Sequence, residues 1–114
     1  IQLHALRKGL INRQFWLSAP EHLQYFNCEN ITKFFSEQNW RVHDMITDFP
    51  VDMYYYNKNS NYISDSSLGK EVHDARVELE NLIHKQPIQN VVRLCRSMAN
   101  VGIGRNLTVV AKPC

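Results

Sequence analysis

The sequence predicts a mixed α/β chain that is mostly helical and carries two strands, at about residues 40–47 and 106–112. The clearest helix covers residues 68–83, where apolar side chains follow one another mainly at steps of three and four residues. Pro87 ends this helix and starts a second one with its own apolar stripe, because proline lacks the amide hydrogen that a helix interior uses. The two strands flank this helical pair.

Two further helices precede the first strand. Leu3, Leu6 and Leu10 recur at helical spacing within residues 1–12. Asn27 can cap the next helix, which should stop near Asn39, because its side-chain oxygen accepts from the free amides of the first turn. The buried face of that helix comes from Ile31, Phe34 and Phe35. The segment 15–26 lies between the two helices, and its sequence, which has no clear period, predicts a partly buried loop.

The strand signals differ in quality. Val42 and Ile46 lie on either side of Asp44, which is an imperfect alternation for a half-buried strand. Gly102 or Gly104 can take the left-handed conformation that closes the preceding helix, and a continuous apolar run then predicts a buried second strand.

Composition excludes several classes of protein. The 114 residues are 44% hydrophobic and 21% charged, which is typical of a globular protein. The formal net charge of +2 is spread along the chain, which argues against a nucleic-acid surface. No apolar run approaches the roughly 20 residues of a membrane span, and no signal peptide opens the sequence. We therefore expect a soluble, cytoplasmic protein without nucleic-acid or membrane partners.

The metal-binding residue types lack the spacing of a metal site. Cys28, Cys95 and Cys114 are odd in number and form no CxxC pair, so we expect free thiols rather than disulfides or zinc ligands. The five histidines show no HxxxH spacing, so no metal is expected.

Two strands alone form a marginal sheet, because the apolar faces of the helices need a wider surface to cover. The sequence also begins at Ile1 rather than at a methionine. Both observations favour a single fragment, residues 1–114, of a larger domain.

The order of elements and several motifs resemble the C-terminal half of class I S-adenosylmethionine-dependent methyltransferases, in particular the bacterial branch with small-molecule or sugar substrates. One segment is similar to the motif W-x-x-x-P-x-H-L-x-Y-F-x-x-E-S-L-x-x-L-L-x-x-x-G-F-x-V of that branch. The matching residues are Trp16, Pro20, His22, Leu23, Tyr25, Phe26, Glu29, Ile31, Phe34, Phe35 and Val42. Further matches are Asp48-Phe49-Pro50, Asn61-Tyr62, Leu68-Gly69, Arg76, Glu80 and the turn Gly102-Ile103-Gly104-Arg105-Asn106.

Asn39-Trp40 stands where the family has Gly-Phe, and asparagine tolerates the same left-handed geometry. The glycine-rich turn that holds the cofactor is absent from the sequence. The resemblance therefore implies a Rossmann-like parent enzyme that uses S-adenosylmethionine, of which this chain supplies the acceptor side with a helical insertion at about 67–101. The chain alone should bind no cofactor and be inactive. The implied partners are the missing N-terminal half and a small-molecule acceptor.

The same resemblance places His22 in a loop that faces the methyl-transfer cleft. Its imidazole can take a proton from an acceptor hydroxyl or amine as a general base. The alternative is a histidine that bonds the backbone of its own loop. Glu21 can orient the imidazole or a substrate hydroxyl, or remain an exposed loop carboxylate.

Three tyrosines are candidates for acceptor binding. Tyr25 can touch the substrate or pack its loop onto the sheet. Tyr54 and Tyr55 can form the floor of an acceptor pocket, since aromatic faces suit sugar rings, or form part of a local aromatic core. They belong to segment 51–67, which predicts a loop or a short helical turn.

A second hypothesis belongs to a different class. The helical pair from Leu68 to Ala99 can act as a non-catalytic interaction module that associates with itself through exposed apolar faces.

Overall fold

The computed structural model describes residues 1–14 and 16–114, so Phe15, the first residue of the predicted loop 15–26, lies outside the described residues. The chain forms two compact units. The first unit comprises Ile1–Leu23 and Val51–Lys85, and the second comprises Gln24–Pro50 and Gln86–Cys114.

Four α-helices and two strands are present in the described part of the chain. The helices are α1 (Gln2–Arg7), α2 (Cys28–Glu37), α3 (Gly69–His84) and α4 (Ile88–Asn100), and the strands are β1 (Trp40–Thr47) and β2 (Leu107–Pro113). Two 3₁₀ helices, Val51–Tyr56 and Ser66–Leu68, lie between β1 and α3. The mixed α/β class and the positions of both predicted strands are confirmed.

The second unit is built on an antiparallel pair of strands. Trp40 pairs with Pro113 at one end and Thr47 with Leu107 at the other. The register shifts between Val42 and Asp44, so a β-bulge interrupts β1. Helices α2 and α4 both pack against β1.

Helix α2 begins as the sequence predicts. The Asn27 side chain accepts a hydrogen bond from the Asn30 amide at 2.8 Å, and the Asn30 side chain accepts from the Asn27 amide at 2.7 Å. This reciprocal capping box satisfies two amides that the first helical turn leaves without partners.

Helices α1, α2 and α4 each end at a residue with left-handed backbone geometry. These residues are Gly9, Asn39 and Gly102, with φ angles of 69°, 59° and 70°. The predicted left-handed asparagine at position 39 is therefore confirmed, and Gly102 is the glycine that closes α4. The closure at Gly9 also explains why α1 is shorter than the predicted helix 1–12. There the Gly9 and Leu10 amides donate to the carbonyls of Leu6 and Ala5, and these bonds end the regular hydrogen bonding of the helix.

Pro87 precedes α4 rather than lying inside its first turn. Its ψ angle of 135° is extended, and its carbonyl accepts from the Asn90 amide at 2.8 Å. The residue therefore caps the helix through its carbonyl group.

The core of the first unit joins α1 to the segment around the 3₁₀ helices. It is formed by Ala5, Ile11 and Tyr55, with Leu6, Leu10, Tyr62 and Ile63 packed against them. Asn61 is buried, and its amide group donates to the carbonyls of Leu10 and Tyr55. The segment 51–67 is thus joined to Leu10, just beyond α1, by a hydrogen bond from the Asn61 side chain.

Helix α3 confirms the predicted helix over most of its length, although Leu68 belongs to the preceding 3₁₀ turn. Of its apolar stripe, only Val72 is buried in the described residues, and Leu79 and Leu82 are exposed. The stripe therefore forms a helix without being covered along its length.

In the described residues, no helix combines the length and apolar character needed to cross a membrane. Cys28, Cys95 and Cys114 are free thiols, as predicted.

Asp48 connects the end of β1 to the start of β2. Its carboxylate accepts from the Arg105 amide at 2.7 Å, from the Asn106 amide at 2.8 Å and from the Asn106 side chain at 2.6 Å. Next to these bonds, Gly104 has a φ angle of 112°, and a Cβ atom at this position would overlap the side chain of Thr47. The turn is therefore closed by a carboxylate and by a glycine packed on the first strand.

We expect Gly104→Ala to lower the free energy of unfolding by about 2–4 kcal/mol, because it adds both backbone strain and overlap with Thr47. Gly102→Ala is the matched control, since it meets nothing within 4 Å and suffers only the left-handed strain of about 1–2 kcal/mol. Urea unfolding of both variants measures the difference. Equal losses would show that the contact with Thr47 has no energetic role.

Candidate functional site

The predicted base His22 lies at the end of a compact turn in the first unit. The His22 amide donates to the Ser18 carbonyl at 2.8 Å, and the Ser18 hydroxyl donates to the Glu21 carboxylate at 2.7 Å. Glu21 and His22 are both exposed. The turn therefore presents a carboxylate and an imidazole from successive residues on the surface of the unit.

The Glu21 carboxylate is stabilised as an anion. The hydrogen bond from Ser18 lowers the pKa of Glu21, and a bond from its own backbone amide acts in the same direction. Because an ionised carboxylate only accepts hydrogen bonds, Glu21 can hold a neighbouring N–H or O–H group but cannot protonate one.

The segment that leads into this turn is joined to the rest of the first unit by Asp52. The Trp16 indole N–H donates to Oδ1 of Asp52 at 3.1 Å, and the Gln2 side chain donates to Oδ2 at 3.3 Å. Sequence reasoning missed Asp52, because an acidic residue in the first turn of a helix is common and carries no signal of its own.

Tyr55 lies in the core of the first unit. The residue is 1% exposed, its hydroxyl is 3.2 Å from that of Tyr62, and the two rings meet edge to face. Burial, followed by the hydrogen bond with Tyr62, raises the pKa of Tyr55 well above its usual value. Tyr54 is half-buried, and its carbonyl accepts from the Ser60 hydroxyl at 2.9 Å. A role of either tyrosine in substrate binding stays a prediction.

Four of the five predicted site residues, Glu21, His22, Tyr54 and Tyr55, belong to the first unit. Tyr25 belongs to the second unit, where it is exposed and its carbonyl accepts from the Asn30 side chain at 3.5 Å. Glu21 and His22 therefore share the Ser18–His22 turn, whereas Tyr55 lies in the core of the first unit and Tyr25 in the second unit.

The second unit contains a groove of about 520 Å³ that sequence reasoning did not predict. Its lining residues come from α2, β1 and α4, and include Cys28, His43, Asp44 and Arg96. The thiol of Cys28 donates to the Ala99 carbonyl at 3.1 Å, so the start of α2 is linked to the end of α4. The groove lies beside the β-bulge, which no periodicity in the sequence reveals.

Asp44 and Arg96 form a bidentate pair on this groove. Nε and Nη2 of Arg96 donate to the two carboxylate oxygens of Asp44 at 2.8 and 2.6 Å. The hydrogen bonds from Arg96, with a further one from the Met45 amide, lower the pKa of Asp44 from 3.8 to about 2. The Asp44 side chain keeps 30% of its surface exposed, so solvent screens the pair.

Asp48 joins the segment that follows β1 to the turn before β2. Strand β1 runs into Asp48, Phe49 and Pro50 instead of a glycine-rich turn, and the amides of Arg105 and Asn106 are occupied by Asp48. In the described ranges, no group of three or more His, Cys, Asp or Glu side chains could hold a metal ion.

Comparison of the chain with protein-family models, with curated proteins and with solved structures finds no match.

We expect the Asp44–Arg96 pair to stabilise the second unit above about pH 4 and to lose this effect as the pH falls from 3.8 towards 2. The sign follows because the folded carboxyl has the lower pKa, so the unfolded chain binds more protons in that range. Carboxyl NMR titration and acid unfolding measure the effect. In Arg96→Met the pKa of Asp44 should return towards its ordinary value, and Asp44→Asn should remove this part of the acid sensitivity. An unchanged Asp44 titration in Arg96→Met would contradict the pairing.

Proposed function

We propose that this chain forms the acceptor side of a class I S-adenosylmethionine-dependent methyltransferase that acts on a small molecule such as a sugar. In this proposal the second unit belongs to a larger Rossmann-like sheet. Residues outside this chain hold the cofactor.

The observation that carries the proposal is the incompleteness of the sheet. The second unit has two helices for only two strands, and Trp40 and Val110 on those strands remain 41% and 54% exposed. Two strands are too few to cover such helices and to bury their own apolar side chains. A wider sheet supplied by another segment would satisfy both requirements.

One motif of the resemblance coincides with a point where the backbone requires it. The Gly102–Asn106 turn closes α4 and is fixed by Asp48 at the start of β2. Asn39 stands where the family has a glycine, and it takes the left-handed geometry that a glycine would take there. Both points support the resemblance.

The part of the reaction assigned to this chain is proton removal from the acceptor. The imidazole of His22 would take the proton of an acceptor hydroxyl or amine, and its exposed position lets that proton pass to solvent afterwards. The Glu21 anion beside it would hold a second hydroxyl or amine of the acceptor and so orient it.

The second candidate, a helical self-association module, is favoured by the uncovered apolar side chains of the two long helices. Leu79 and Leu82 on α3, and Ile88 and Leu94 on α4, are all exposed. Such surfaces commonly mark interaction sites.

Calorimetric titration with S-adenosylhomocysteine separates the two candidates. We expect no binding to the 114-residue chain, which lacks the glycine-rich turn, and binding to a longer polypeptide that contains the preceding half of the domain. A longer polypeptide that binds none, but dimerises in sedimentation analysis, would favour the interaction module instead.

We expect His22→Ala in that longer polypeptide to lower turnover at least about tenfold, because a general base commonly contributes 10²–10⁴-fold. Affinity for S-adenosylhomocysteine should not change. His84→Ala is the matched control, since His84 is an exposed histidine at the end of α3. Unchanged turnover in His22→Ala would rule out the role as a base.

A further inference from the structure

Asp52 is a buried carboxylate at the meeting point of three segments of the first unit. Its side chain belongs to the 3₁₀ helix Val51–Tyr56, and the residue is 7% exposed. One oxygen accepts from Trp16 and the other from Gln2 on α1, at 3.1 and 3.3 Å. Burial of a carboxylate costs free energy unless its oxygens are bonded, and these two donors meet that need together with the Tyr55 hydroxyl, which also bonds to Asp52.

The Trp16 bond has a consequence for the turn that carries His22. Ser18 and His22 are joined by a backbone bond of 2.8 Å, and Ser18 also holds Glu21, so the turn has its own internal shape. Internal bonds fix the shape of a turn but not its position on the unit. The Trp16 indole lies two residues before Ser18, and its bond to Asp52 joins this segment to the 3₁₀ helix.

We propose that Asp52 is a positioning residue: through the Trp16 indole it sets where the Ser18–His22 turn places the Glu21 and His22 side chains. The inference rests on the proposed function of His22, and it adds Asp52 as a residue that acts through Trp16. Asp52 itself contacts neither acceptor nor proton in this scheme.

The two donors to Asp52 allow a matched comparison. Trp16→Phe keeps an aromatic ring and removes the N–H that holds the turn, whereas Gln2→Met removes the donor on the other oxygen. Asp52→Asn retains an oxygen that can accept from Trp16, and Asp52→Leu retains none. We therefore expect the effect of each variant on the turn to depend on whether the Trp16 bond survives, and not on how much the carboxylate is altered.

The first measurement uses the 114-residue chain and records the NMR resonances of the His22 imidazole. They should move in Trp16→Phe and Asp52→Leu and stay near their native positions in Gln2→Met and Asp52→Asn. Core methyl resonances of Ile11 and Ile63 show whether each variant is folded. Native His22 resonances in a folded Trp16→Phe variant would overturn the inference.

The second measurement is turnover in the longer polypeptide. We expect kcat to fall about 10–100-fold in Trp16→Phe with little change in KM for S-adenosylmethionine, since a small misplacement of a catalytic group costs up to about 100-fold. Gln2→Met should stay within about twofold of native, because it leaves the Trp16 bond in place. Equal kcat losses in both variants would overturn the inference. A native polypeptide that transfers no methyl group would contradict the proposed function, while the NMR comparison still decides whether Asp52 positions the turn.

Discussion

The carboxylate of Asp48 fixes the geometry on which the second unit depends. By accepting three hydrogen bonds from Arg105 and Asn106, it sets the point at which β2 begins opposite the end of β1. The pairing of Thr47 with Leu107, and of the residues from there to the bulge, follows from that point. This exposed carboxylate therefore fixes the register of the sheet between Asp44 and Thr47.

Local signals in the sequence were enough to predict most of the elements. The cap at Asn27, the left-handed Asn39 and the helical stripes of α3 and α4 are properties of neighbouring residues, and the structure confirms them. The extent of α1 was predicted wrongly, because Gly9 was not recognised as a closing residue. Each of these features is decided within one or two helical turns, which is the range over which sequence patterns carry information.

The contacts that join distant segments could not be predicted in this way. Val42, Asp44 and Ile46 indicated a strand with an imperfect alternation, and the structure has a bulge at His43, between Val42 and Asp44. Val42 pairs with Ala111 before the bulge, and Met45 and Thr47 pair with Val109 and Leu107 after it. The residues of β1 on the apolar face are therefore even-numbered before the bulge and odd-numbered after it. Asp52 was missed for a similar reason, since its partners lie 36 and 50 residues away.

The thiol that links α2 to α4 limits how this protein can be labelled. Cys28 donates its proton to the Ala99 carbonyl and lines the groove, so a maleimide fluorophore or spin probe on this sulfur would remove the link and fill the space beside it. Cys114 is exposed next to β2, and its role in the fold is carried by its backbone amide, which donates to the Asn39 carbonyl. A reporter group attached there would leave the contact between the two helices intact.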